Sequence, residues 1–357
     1  MSQARPMSRR RKTTMERGLA VKVIIAVVAL LAVALSALSA PLQQGTLLEI
    51  SVHGPSLEGN LEGNSPDRTV FVYVPPGYDT NKDRRYPVVY SLHGYTSTAR
   101  EHVNYLGLPD SADRAIAAGA AEMILVFPDA MTVHGGSMYS SSVAVGDWEA
   151  FIAEDLIKYI DSNFRTLAKR ESRGLSGHSM GGYGTLRIGM KYPDVYGALY
   201  PMSACCLTPR LPSPTDSRAE AVRTVKEAQG LDFFARTLFA SSAAWSPNPG
   251  KPPFFFNLPT KNGEPQPAVY ADYAAGALTS LIHQYVPELK SYAAIGIEIG
   301  DEDFLLGDNT TMHALMTSYG IGHSFETYDG DHVNRLPQRF EGNMLPFFSE
   351  HFEPTAP

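Results

Sequence analysis

Cysteine is nearly missing from this 357-residue chain: only Cys205 and Cys206 occur, side by side. Two residues cannot make a disulfide framework, and no spacing of Cys and His suits a metal, so neither a metal nor another cofactor is called for. The pair either closes a strained vicinal disulfide or stays as two small buried apolar residues after a core strand. Basic charge is scarce as well. Seven of the 30 Lys and Arg and one of the 37 Asp and Glu lie in the first 40 residues, so residues 41–357 hold 23 bases against 36 acids, net −13. Phosphate backbones are held by basic groups, which excludes a nucleic-acid partner. With 44% hydrophobic and 10% aromatic residues against 19% charged, the composition is that of a folded protein with a sizeable core, not a disordered or fibrous one.

One long apolar run is present. Residues 23–40, VIIAVVALLAVALSALSA, follow a segment carrying Arg5, Arg9, Arg10, Arg11, Lys12, Arg17 and Lys22. A basic segment before such a run reads as an export signal, with small residues near Ala37-Leu38-Ser39 for a signal peptidase. The alternative is an uncleaved anchor, because about 18 apolar residues just cross a bilayer and the positive flank stays in the cytoplasm. In both cases the body, 41–357, is expected to be secreted, periplasmic or extracellular, touching membrane only through an uncut 23–40. Lys12-Thr13-Thr14 lacks the apolar residues that would follow a twin-arginine signal, so the export route stays open.

From residue 45 onward, short runs rich in β-branched and aromatic residues alternate with segments of helical period, the pattern of an α/β protein with a mostly parallel sheet. Strands are expected at 46–52, 69–74, 87–92, 122–127, 173–178, 197–203, 293–299 and 324–328. A helix over 150–164 would bury Ile152, Leu156, Ile160 and Phe164 and turn Glu154, Asp155, Lys158 and Asp161 outward. Another over 309–319, capped by Asp308 or Asn309, would bury Met312, Leu315, Met316 and Tyr319 and stop at Gly320. The pattern fails over 207–274, where seven prolines fall between Pro209 and Pro253 and three more between Pro259 and Pro267, around a helical patch near 217–229. That segment reads as a cap inserted between the sixth and seventh strands. Its aromatics, Phe233, Phe234, Trp245 and Phe254-Phe255-Phe256, either line a substrate cleft or anchor the cap.

Gly177-His178-Ser179-Met180-Gly181-Gly182 stands after the expected strand 173–178 and before a helical segment ending at Pro193. Gly-x-Ser-x-Gly between strand and helix is a nucleophile elbow, so Ser179 is the expected nucleophile and the Met180 amide, at the helix start, an oxyanion donor. A serine hydroxyl needs a base, and in this arrangement the order is serine, acid, histidine. His332, in the loop Asp329-Gly330-Asp331-His332 after the last strand, is the expected base. His313, His323 and His351 fall in a helix, at a strand start and near the tail. The acid comes from Gly300-Asp301-Glu302-Asp303, just past the strand 293–299. Asp303 is the choice, Asp301 its rival. The second oxyanion amide is assigned to Tyr95, since strand 87–92 runs into His93-Gly94-Tyr95. His93 and His178 read as packing histidines.

These motifs resemble the esterase D-like branch of the α/β-hydrolases, which includes feruloyl and acetylxylan esterases, S-formylglutathione hydrolases, siderophore esterases and the mycolyltransferase antigens. The resemblance covers roughly 68–206 and 290–350. It rests on Tyr73-Val74-Pro75-Pro76-Gly77-Tyr78, Tyr86-Pro87 leading to Leu92-His93-Gly94, the elbow with its doubled glycine, and Gly300-x-x-Asp303 followed 29 residues later by His332. It implies the α/β-hydrolase fold and an oxyanion hole from Tyr95 and Met180. Many members keep Gly-Gly-His at the base, where this chain has Gly330-Asp331-His332. The expected activity is that of an exported serine carboxylesterase acting on a small or polysaccharide-linked ester, with feruloyl or acetyl esters of plant polysaccharide in view. The alternative is an acyltransferase with a sugar or lipid acceptor. A non-catalytic surface protein is disfavoured by the complete serine, acid and histidine set.

Overall fold

The computed structural model describes residues 44–210, 213 and 216–352. The expected export signal or anchor, residues 1–40, lies outside them. Eight strands form one sheet: β1 (Thr46–His53), β2 (Asp67–Val74), β3 (Val88–Leu92), β4 (Ile124–Pro128), β5 (Arg173–His178), β6 (Ala198–Met202), β7 (Ala294–Gly300) and β8 (Ser324–Tyr328). Their spatial order is β1-β2-β4-β3-β5-β6-β7-β8. β2 pairs antiparallel with β1 and β4, and every pair from β4 to β8 is parallel. This is the α/β-hydrolase fold expected from the sequence. Parallel strands covered on both faces read as unbroken apolar runs. Accordingly β3, β4, β5 and β6 are buried along their whole length, while β8 at the edge is half exposed.

The layers beside the sheet are built by α1 (Ala99–Leu106), α2 (Asp110–Ala117), α3 (Leu156–Asn163), α4 (Met180–Lys191), α7 (Leu306–Ser318) and α8 (Leu345–His351), while α5 (Phe233–Trp245) and α6 (Pro267–Gly276) fall in the segment between β6 and β7. One apolar cluster joins Val103 of α1, Ala115 of α2 and Phe348 of α8 to one face. The larger cluster joins Leu156 and Ile160 of α3, Leu186 of α4 and Met312 and Met316 of α7 to the other. α1 starts where it does because Thr98 and Glu101 cap each other's backbone amides, and it stops at Gly107 in the left-handed region, φ 73°.

All eight expected strands are present, with shifts of one or two residues at most ends. β4 begins at Ile124 because the Glu122 carboxylate leaves the strand line to accept from the Gly77 amide (2.7 Å) and pair with Arg84. The helix expected over 150–164 runs from Trp148 to Asn163 with a widened turn at Phe151–Asp155, and Phe164 stands past its end in extended backbone. Asp161, expected outward, is instead half-buried against Arg173 at 2.5 Å. α7 starts at Leu306, so neither Asp308 nor Asn309 caps it. Asn309 is fully buried inside the helix and donates to the Ala204 carbonyl at 2.8 Å, and Asp308 accepts from Thr208 at 2.9 Å. Both side chains tie α7 to the strand exit after β6, which outweighs their capping preference. Tyr319, expected inward, is 38% exposed, while Gly320 does end the helix at φ 63°.

The segment 207–274 lies between β6 and β7 and is more helical than its prolines suggest. α5 buries residues almost all round, Leu238 through Ala244, so it shows no amphipathic period to read. α6 begins on Pro267, a proline that starts a helix rather than breaking one. Cys205 and Cys206, just before it, are free thiols with sulfurs 2.9 Å apart, so the vicinal disulfide is not formed.

Candidate active site

β5 ends in Gly177-His178 and α4 begins at Met180, so the chain must reverse in one residue. Ser179 takes that turn at φ 58°, ψ −112°, a strained position for any residue with a Cβ. The turn closes because strand and helix approach to backbone contact: a Cβ at Gly181 would stand 2.1 Å from the Leu92 carbonyl oxygen, and one at Gly177 2.4 Å from that of Gly181. The Ser179 amide donates to the Met202 carbonyl (3.0 Å) and its carbonyl accepts from Cys205 (3.1 Å), which locks the elbow to the end of β6.

Opposite the elbow, the loop after β8 is held by Asp331, whose carboxylate accepts from the amides of Val333 and Asn334, each at 2.8 Å. The departure from Gly-Gly-His thus supplies the turn that presents His332. His332 Nδ1 lies 2.8 Å from Asp303 Oδ2 and Nε2 lies 2.9 Å from Ser179 Oγ. A carboxylate only accepts, so Nδ1 carries the proton and Nε2 is free to accept from the serine hydroxyl. Burial pushes the Asp303 carboxyl up, but the His332 hydrogen bond and the Leu305 amide (2.9 Å) outweigh it and hold it below the usual carboxylate range. Asp301, the rival, turns away and accepts from the Gly330 amide at 3.1 Å, bracing the two loops. Ser179, His332 and Asp303 are therefore brought together, and Asp301 is not.

The Tyr95 amide follows β3 in a loop, and the Met180 amide is the first of α4, where no intrahelical acceptor exists. The β3 loop comes close to the nucleophile: a Cβ at Gly94 would stand 3.4 Å from Ser179 Cβ. The Tyr95 hydroxyl is pinned to the His134 carbonyl at 2.8 Å. His93 is a packing histidine, accepting from the Ala130 amide (2.8 Å) on Nε2 and donating from Nδ1 to Gly94 (2.8 Å).

His178 is buried too, yet it does more than fill space. Its Nε2 donates to the His332 carbonyl at 2.7 Å, with ring centroids 4.6 Å apart, and burial pushes its pKa down to about 3, so the ring is neutral. It braces the base loop without placing a charge beside it. Sequence reasoning missed this contact because 154 residues separate the partners.

Ser179 lies between two depressions. One is a cavity of about 290 Å³ walled by Met138, Cys206, Phe234, Trp245, Tyr273 and Phe304. The other is an open groove of about 490 Å³ beside His332. The cap aromatics divide between the two expected roles. Phe233, Phe234 and Trp245 border the cavity, whereas Phe254 and Phe256 pack on His134 and Phe239 and anchor the cap.

With that geometry in view, comparisons with known proteins agree on the kind of protein. An esterase of Mycobacterium tuberculosis is 37% identical over 127 residues, 34% of this chain and 26% of that protein. An endo-1,4-beta-xylanase/feruloyl esterase of Xylanibacter ruminicola is 31% identical over 142 residues, 38% of this chain and 19% of that protein. The chain thus spans about a quarter or less of the length of these curated relatives. Among solved structures, a ferulic acid esterase superposes with a TM-score of 0.63 at 22% identity, over 87% of this chain and 99% of that one. The family described as "putative esterase" matches residues 64–339, a span that takes in the β3 loop, the elbow, the acid and the base, and to that esterase family the chain belongs.

Proposed function

We propose that the protein is an exported serine carboxylesterase that works through an acyl-enzyme. The observation that carries this reading is the unbroken chain from Ser179 Oγ through His332 to Asp303, at 2.9 and 2.8 Å. His332 takes the hydroxyl proton as Ser179 Oγ bonds to the ester carbonyl carbon. Negative charge moves to the carbonyl oxygen, where the Tyr95 and Met180 amides and the amino end of α4 receive it. Asp303 holds the imidazole tautomer and stabilises the imidazolium. Collapse expels the alcohol, which leaves with the proton from His332. Water then repeats the sequence and frees the acid.

The aromatic cavity wall and the feruloyl esterases among the relatives support an aryl or short acyl ester of plant polysaccharide as substrate. Export is supported by the basic segment and apolar run of residues 1–40. A second reading, transfer of the acyl group to a sugar or lipid, is favoured by the open groove beside His332, which admits an acceptor larger than water. The test follows acid release from p-nitrophenyl acetate, p-nitrophenyl butyrate and methyl ferulate by the full chain and by Ser179→Ala. Turnover should fall by about 10³-fold or more in the variant, and a fluorophosphonate should label only the wild type. Equal turnover by both would sink the proposal.

A further inference from the structure

The two donors of the oxyanion hole are held by unlike means. The Met180 amide is aimed by α4, whose first turn it opens. The Tyr95 amide has no such frame, since β3 ends at Leu92 and α1 begins at Ala99. Its aim depends on the loop between them, and that loop is strained: Thr96, the next residue, stands at φ 66°, in the left-handed region that a β-branched side chain rarely enters. Backbone of that kind persists only where its surroundings hold it.

The hold comes from one segment, residues 132–136, in the stretch after β4. Two consecutive carbonyls of that segment meet the oxyanion loop: His134 accepts from the Tyr95 hydroxyl and Gly135 from the Thr96 amide, each at 2.8 Å. Burial pushes the Tyr95 hydroxyl pKa up, so it remains a donor. Gly136 packs against both donor residues, and a Cβ there would stand 2.9 Å from Tyr95 Cδ2 and 2.5 Å from Met180 Sδ. The segment is itself closed on the buried Thr132. The Thr132 hydroxyl donates to the Gly136 carbonyl at 3.0 Å and accepts from the His134 and Gly136 amides at 3.3 Å, and the Thr132 carbonyl accepts from the Gly135 amide at 3.0 Å. With those three amides spent on Thr132, the carbonyls of His134 and Gly135 form a fixed pair of acceptors for the loop that carries Tyr95.

Packing alone asks for the Tyr95 ring and not for its hydroxyl, because a phenylalanine would fill the same space. The hydroxyl adds direction: it and the Thr96 amide are two ties on one short stretch of chain, and together they restrict rotation of the peptide that carries the Tyr95 amide. Direction matters in an oxyanion hole, where a donor counts in full only at about 2.7–3.1 Å from the place the oxyanion takes, and one whole donor is worth about 10²- to 10³-fold in kcat. We propose that the Tyr95 hydroxyl and Thr132 are positioning groups for the oxyanion hole, acting through residues 132–136 to aim the Tyr95 amide at the oxygen where negative charge develops. This assignment rests on the esterase reading and adds what sets the geometry of its oxyanion hole.

The experiment takes the full-length protein, Tyr95→Phe and Thr132→Val through two readouts. One is hydrolysis of p-nitrophenyl butyrate. The other is inhibition by trifluoromethyl propyl ketone, which carries the same propyl group: Ser179 Oγ adds to its carbonyl carbon, the hydroxyl proton passes to His332, the carbonyl oxygen becomes the oxyanion, and no group leaves. Tyr95→Phe keeps the ring, the amide and the Thr96 tie and loses only the hydroxyl. It should lower kcat about tenfold, part of a whole donor's effect, with KM within about twofold, and should weaken the ketone by about the same factor, because an interaction made only with the charged oxygen is lost from both. Thr132→Val, of like shape, should act in the same direction, and the double variant should lose less than the product of the two single losses, since both act on one amide. Urea midpoints report whether each variant is folded, and Tyr95→Phe decides alone if Thr132→Val is not. Unchanged kcat and ketone affinity in Tyr95→Phe, or a loss carried by KM with ketone affinity unchanged, overturns the positioning role alone. A wild type that neither hydrolyses p-nitrophenyl butyrate nor binds the ketone overturns the esterase reading beneath it.

Discussion

The strand ends that carry Ser179, Asp303 and His332 and the cap between β6 and β7 hold their shape by different means. In the body, much of the position is dictated over a few residues: the one-residue turn at Ser179 between β5 and α4, an Asp331 turn under His332, a Leu305 amide on Asp303. In the cap, position comes from side chains packing over long separations, such as the Trp245 indole donating to Ser140 at 3.1 Å and the Phe254 and Phe256 rings meeting His134. Short-range constraint fixes the atoms of Ser179, Asp303 and His332, and long-range packing gives a cavity whose dimensions can change without moving those atoms. Substitutions in the body should therefore strike turnover or folding, and those in the cap should strike selectivity.

The largest effect belongs to the acid. Asp303→Asn keeps the shape but offers a donor or a weaker acceptor to His332 Nδ1, so kcat is expected to fall by about 10³ to 10⁴ with little change in KM. Asp301→Asn retains an oxygen for the Gly330 amide and should stay within about threefold of wild type. Steady-state kinetics on the pair decides it, and a larger loss at Asp301 would reverse the assignment. Next comes Gly181→Ala, whose Cβ would meet the Leu92 carbonyl at 2.1 Å, backbone against backbone with no flexible side chain to yield. A loss of about 4 kcal/mol or more in folding free energy is expected, read from urea unfolding. A near-neutral result would mean that the approach of α4 to β3 is looser than described.

Within the cap, Trp245→Leu trims the cavity wall where the indole packs on Tyr183 and Tyr273, with centroids 5.7 and 5.4 Å away. Octanoyl esters should gain on butyryl esters by about tenfold in kcat/KM, the effect of burying about two further CH₂ groups at about 0.8 kcal/mol each in the space the indole leaves. An unchanged chain-length profile would place the acyl group elsewhere and weaken the contrast between the two regions.

The same contrast sets what could be read from the sequence. β8 falls on 324–328 as expected, and the one-residue turn at Ser179 between β5 and α4 follows from a local pattern of glycine and strand. Asp303 and Asp301 share a loop and a residue type, and only the path of the chain decides which one meets His332. The His178 brace, the start of α7 at Leu306 and the helical content of the cap depend on partners distant in sequence. α5 gives no period because it is buried nearly all round, and proline, which marked the cap as irregular, in fact opens α6.

The smallest expected effect lies at the seam between the two regions. Glu62 and His134, each with a side chain only 1% exposed, face one another at 3.6 Å beneath the cap rings of Phe239, Phe254 and Phe256. Burial pushes the Glu62 carboxyl up to about 7 and the His134 imidazole down to about 4. Glu62 binds its proton more tightly folded than unfolded, so its contribution is complete below about pH 4.5 and is lost as pH rises through about 7. His134 does the reverse: its contribution is complete above about pH 6.5 and is lost as pH falls through about 4. Together they make stability greatest in mildly acidic solution, with Glu62 setting the alkaline limb. Glu62→Gln keeps an acceptor for Asn64, now 2.9 Å from the carboxylate, and can donate to His134 without ever charging. Urea midpoints at pH 5, 7 and 9 should show the variant gaining about 1 to 3 kcal/mol over wild type at pH 9 and almost nothing at pH 5. If both proteins lose stability equally toward pH 9, the carboxylate reaches water on ionising, and the seam between body and cap opens more readily than its packing indicates.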